Sequence, residues 1–176
     1  MKDAPARPVR FALLLLALAA AAVAGCSTPH GGSPKAPSGY RPVASGETVG
    51  HTWQLLRGEN GEGISCLMVK VDLLESSADC GMSLEVAPFN VAVQRFPDGS
   101  TVAFGIARKE VTAVRVERRG AAEDVPVVGT PSAEGPNFVV VLGTPGDPVS
   151  DISSTGPDGR EYSARDKLAE ANGEGA

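Results

Sequence analysis

The residues able to do chemistry in this chain are few and scattered. It has two histidines, His30 and His51. A Ser–His–acid triad in the folded part would need His51 as its base, and no Gly-x-Ser-x-Gly elbow accompanies it. Glu59 and Glu62 lie in the glycine-rich stretch 58–63. Paired carboxylates can do acid/base work on glycosides, but that chemistry needs a cleft and aromatic platforms. The chain offers one Trp and two Tyr. Asp147, Asp151 and Asp158 surround the last turn signal. Oxygen ligands in loops hold Ca²⁺, yet the spacing is not that of an EF-hand, and Asp beside Gly or Pro is ordinary turn chemistry. Arg108, Lys109, Arg115, Arg118 and Arg119 bracket one strand pattern. They read either as a solvated edge that resists sheet-to-sheet pairing or as a contact for an acidic polymer or partner. No metalloprotease helix motif, phosphate loop or dinucleotide fingerprint occurs. The expectation is a non-catalytic protein with no cofactor and no metal.

The front of the chain is more specific. Lys2, Arg7 and Arg10 face a single acid, Asp3, and residues 11–23 are all apolar. A positive start, a short apolar core and a small-residue exit make a secretory signal. The core falls short of the roughly 20 apolar residues that cross a bilayer. Val23, Ala24, Gly25 and Cys26 then resemble the lipobox of bacterial lipoproteins. The resemblance implies cleavage between Gly25 and Cys26 and a diacylglyceryl group on the Cys26 sulfur. It implies a protein anchored by lipid to the extracytoplasmic face of the cell membrane. Two acyl chains hold stably where one holds marginally. With Cys26 lipidated, Cys66 and Cys80 remain. Outside the cytoplasm such a pair tends to oxidise, and a structural disulfide closing a loop of about 15 residues is expected. Redox or metal chemistry, or two unpaired thiols, are the alternatives, and no C-x-x-C is present.

These features divide the chain into a signal peptide (1–25), a flexible tether (26–50), a domain (51–164) and a disordered tail (165–176). The tether carries Pro29, Pro34, Pro37 and Pro42 among Gly and Ser, without apolar periodicity. Such a segment buries too little surface to offset its ordering entropy. In the domain, helical periodicity is scarce and strand signals recur. Candidate strands cover 51–57, 64–71, 82–86, 89–96, 101–107, 111–117, 125–128, 138–142, 149–153 and 160–163. In 111–117, Val114 and Val116 alternate with Arg115 and Glu117, as in a strand with one wet face. Residues 138–142, Phe-Val-Val-Val-Leu, are the most apolar run and read as a central strand. The fold expected is all-β: a small antiparallel β-sandwich, Ig-like or similar.

Residues 105–163 also resemble a group of small exported actinomycete proteins. The shared pattern is the valine-alternating strand, an apolar strand opened by Phe138, and a last hairpin reading Pro157-Asp158-Gly159-Arg160-Glu161. That resemblance implies a β-sandwich and carries over no functional residues. Net charge is −5 at pH 7, and removing the basic leader makes it more negative. This argues against nucleic acid as a partner. The function expected is a lipid-anchored, non-catalytic binding or accessory module of the cell envelope. Its partners would be the membrane, through Cys26, and an envelope protein. The alternative is a surface lipoprotein that binds a solute, polymer or metal.

Overall fold

The computed structural model describes residues 39–72, 77–130 and 134–173. Gly25, Cys26 and His30 lie outside the described residues. The described elements are β1 (Arg41–Thr48), β2 (His51–Glu59), β3 (Ser65–Val71), β4 (Ser77–Cys80), β5 (Phe89–Arg95), β6 (Thr101–Ala107), β7 (Ala113–Arg118), β8 (Ala121–Pro126), β9 (Asn137–Gly143), β10 (Val149–Thr155), β11 (Glu161–Ser163) and α1 (Arg165–Asn172). The strands form three antiparallel sheets in the orders β1-β2-β3-β4, β5-β6-β9 and β11-β10-β7-β8. The domain is thus an all-β antiparallel sandwich.

The three-stranded sheet sits between the other two. One face carries Val102, Phe104, Phe138, Val140 and Leu142, which pack with Trp53, Leu55 and Val69 of the first sheet. Its other face carries Val91, Ala103, Val139 and Val141, which pack with Val114, Val116 and Ile152 of the third. Every residue of β9 is therefore buried. This is why its sequence is continuously apolar where β7 alternates: a strand covered on both faces has no wet side. Each fully buried Phe, Leu or Val here stabilises by about 1.5–3 kcal/mol. Inside β6, Gly105 has no room for a side chain, because a Cβ would lie 2.0 Å from the Asn90 carbonyl oxygen. Glycine in a strand interior marks such close backbone approach.

The fold extends beyond the expected limits at both ends. Residues 41–48 were expected in the tether, yet they form β1, paired along its length with β2. Little of β1 is apolar. Its place comes from its partner: Gly46 lies under the Trp53 ring, and Gly58 lies under Tyr40. Residues 165–172, expected to be disordered, form α1. Leu168 is buried in the core with Ala164. Gly173 ends the helix in the left-handed conformation, its N–H bonded to the carbonyls of Ala169 and Glu170. The expected strand over 82–86 does not form, and the four-residue β4 takes its place beside β3.

Cys66 and Cys80 are directly opposed across β3 and β4 and form a disulfide, with Cα atoms 4.0 Å apart. None of the four β4 residues is buried. The covalent link therefore holds this edge strand where packing does not. Replacing both cysteines by Ser is expected to cost about 3 kcal/mol in a urea titration followed by Trp53 fluorescence, with the native signal retained in the absence of urea.

Candidate functional site

The candidate catalytic and metal-binding groups are dispersed by this fold. His51 opens β2, and its Nδ1 lies 2.7 Å from Asp72 Oδ2. The other Asp72 oxygen accepts the Thr52 backbone N–H at 2.7 Å and the Thr52 hydroxyl at 2.5 Å. Asp72 has φ 43°, a left-handed conformation that Asp tolerates better than most residues. The group is a clasp closing β2 onto the end of β3. Among the described residues the His51 ring is bonded to this carboxylate and to no serine, threonine or cysteine. The Thr52 hydroxyl bond, and then the bond to His51, hold the Asp72 carboxyl below its ordinary value. Asp98 is lowered in the same way by the Ser100 hydroxyl and backbone N–H, which close the turn between β5 and β6.

The three aspartates of the last turns do not converge. Asp151 is buried in β10 and accepts the Ser163 hydroxyl at 2.6 Å and Arg165 Nη2 at 3.1 Å. Asp158 accepts the Tyr162 hydroxyl at 3.1 Å. Asp147 closes the turn with Thr144 through backbone bonds. Among the described residues no group of three or more His, Cys, Asp or Glu could hold a metal ion. Glu59 ends β2 and Glu62 lies in the loop behind it, both exposed; the loop is tied by Asn60, whose side chain accepts the N–H groups of Glu62 and Ile64.

The basic cluster is likewise distributed. Arg108 donates to the Leu84 carbonyl at 2.7 Å, and Lys109 donates to Thr130. Arg118 pairs with Glu123 at 3.2 Å, and Arg115 lies opposite Asp124 in the β7–β8 register. Arg119 is different. It occupies the β7–β8 turn with φ 43°, and among the described residues no ion pair or hydrogen bond holds its side chain.

Arg119 lines a groove of about 500 Å³ whose other walls include Val49, Ala121, Ala122, Val140 and Val141. Four separated segments build it. The backbone explains why it is open. Val128 and Phe138 exchange two hydrogen bonds of 2.8 Å, so the chain after β8 touches the edge of β9 at one point. One residue before, Val127 donates to Thr112 instead, and β8 leaves to pair with β7. The corner of the sandwich between β8 and β9 therefore gapes. In an antiparallel ladder alternate residues turn their N–H and C=O groups to the same side. Val140 and Leu142 accordingly point theirs the way Phe138 does, away from β6. Among the described residues no strand pairs with these outward groups, while the same residues lie opposite Phe104 and Val102 of β6.

Two hairpin tips face this groove, and both break turn rules. Thr48 opposes His51 and Arg118 opposes Ala121, so each loop has two residues, Val49-Gly50 and Arg119-Gly120. All four have positive φ, the requirement of a type I′ turn, which favours Asn, Asp or Gly at its first position. A β-branched valine there costs about 1–2 kcal/mol relative to glycine. Val49 is nonetheless 52% exposed. No protein-family profile, no curated protein and no solved structure matches the chain.

Two outcomes follow from this geometry. Because the Asp72 carboxyl is held below 3.8, its contribution to stability is complete above that value and is lost as pH falls through the depressed one. Asp72→Asn should therefore lower stability by about 1 kcal/mol at neutral pH, with the difference from wild type shrinking in urea titrations run at successively lower pH. Val49→Asn should raise stability by about 1 kcal/mol, read as a higher thermal midpoint.

Proposed function

We propose that the protein is a lipid-anchored, extracytoplasmic binding or accessory module of the cell envelope, and that it is not an enzyme. The observation that carries the anchoring is the run Val23, Ala24, Gly25, Cys26 directly behind an apolar segment too short to span a bilayer. Diacylation of Cys26 would give two chains, enough for stable attachment. The disulfide between Cys66 and Cys80 supports an oxidising compartment. The binding role is supported by what the fold does with its polar groups. His51, Asp72, Asp151 and Asp158 are engaged in local structural bonds, whereas exposed Val49 and unpaired Arg119 face an open groove. The net negative charge favours a protein partner over nucleic acid.

Membrane fractionation tests the anchor. The wild-type chain is expected in the membrane pellet, resistant to salt and extracted by detergent. Cys26→Ala should leave the pellet or accumulate as the uncleaved precursor. A mature Cys26→Ala product of unchanged membrane association would refute the anchor.

A further inference from the structure

We infer that the open corner between β8 and β9 is a strand-addition site, filled by an extended segment of a partner polypeptide with apolar side chains at alternate positions and one acidic residue. This rests on the reading of the protein as a binding module and names its site.

The central sheet has two edges, and the fold treats them differently. The β5 edge is blunted: α1 lies along it, Lys167 Nζ donates to the Val91 carbonyl at 2.8 Å, and Arg95 donates to the carbonyl of Asn172 at 3.1 Å. Covering an edge with a helix and a lysine is how sheets avoid adventitious pairing. The β9 edge carries no such helix among the described residues, and Val140 lines the groove, whereas Leu142 is buried outside it. The edge is bridged once, by Val128, and then continues past Val140 with outward-facing donor and acceptor groups. An unpaired edge inside a groove is a template for an added strand: main-chain bonds give affinity, and the walls select alternate side chains.

The walls define the occupant. Val49, Ala121 and Ala122 are small and apolar, which suits alternate apolar side chains in an extended segment. Arg118 and Glu123 also line the groove and pair with each other, which leaves Arg119 as the unpaired guanidinium, matched to a carboxylate. Asp147 lines the groove as well, so a second acidic residue would be repelled. Two strained hairpin tips border the same groove. Backbone strain persists where the surrounding structure enforces it, and it gathers at ligand clamps. Here Val49 and Arg119 both take the left-handed position where Asn would suit the turn better, and both face the groove. The chain's own tether is a poor occupant. Pro29, Pro34 and Pro37 lack the N–H groups that an added strand must donate.

The test uses the full chain in detergent micelles. A phage library of random octapeptides is selected on it and counter-selected on Val140→Pro. The Val140 N–H faces away from β6, so proline removes one outward donor without breaking the β6 ladder. Circular dichroism and Trp53 fluorescence check that the variant folds. If it does not, Arg119→Gly, which suits φ 43°, serves for counter-selection. Retained peptides should alternate apolar residues and carry one Asp or Glu. The best of them should slow amide exchange at Val140, which lines the groove, and bind about tenfold more weakly to Arg119→Gly. Three results would overturn the proposal. They are no peptide that distinguishes the wild type from the variant, protection that falls on other amides, or protection of Val140 that rises with protein concentration in the absence of peptide. The last would make a second copy the occupant. None of these results bears on the Cys26 anchor, so the site and the anchoring fail separately.

Discussion

Burial of one sheet on both faces is the constraint on which the rest of this structure depends. β6 and β9 can be covered on both sides only if the chain supplies a sheet above and a sheet below. Backbone approach must also be close enough to leave no void, and Gly105 provides that where β6 runs against β5. A sheet of three strands has one interior strand and two edges. Each edge needs a solution, since unpaired strand edges invite other chains. The helix that follows β11 closes one of them. The other is met by a single bridge at Val128 and is then released when β8 turns to β7.

That release shapes the candidate site. A two-layer sandwich with continuous corners would have no comparable groove. Here β8 belongs to one sheet and its successor β9 to another, so the corner between them opens by construction. The hairpins β1–β2 and β7–β8 end at this corner, and their tips carry an exposed apolar residue and an unpaired cation where turn chemistry favours Asn or Gly. Local preference and global structure disagree at these two positions while agreeing at most others. Such disagreements in natural proteins concentrate at functional sites.

Much of the architecture was legible in the sequence because period-2 patterning reports burial directly. β6 coincides with its expected span, residues 101–107, and β3, β5, β9 and β10 lie within two residues of theirs. The Cys66–Cys80 disulfide matches the pairing expected from the cysteine count. What escaped was structure stabilised by partners rather than by its own apolar residues. β1 is mostly polar and includes a proline and a glycine, and it is fixed by pairing with β2 and by the Trp53 ring lying over Gly46. α1 is too short and polar to declare itself, and a single leucine, Leu168, anchors it. Residues 82–86 alternate like a strand but find no partner edge. The groove left no local signal, because its walls come from four segments between Thr48 and Asp147. The only hint was the left-handed demand on Val49 and Arg119, visible once X-Gly pairs are recognised as two-residue hairpin loops.

An anchored domain that presents this corner to a protein partner should be captured there by that partner. The most direct measurement is photo-cross-linking on intact cells that express the tagged full chain. A photoreactive residue is placed at Val49, beside the groove, or at Val86, which is 85% exposed beside α1 and the covered β5 edge. One dominant envelope-protein adduct is expected from Val49, with the cross-link mapped to an extended segment of that protein, and none of it from Val86. Equal yields of the same adduct from both positions, or no adduct from Val49, would contradict it.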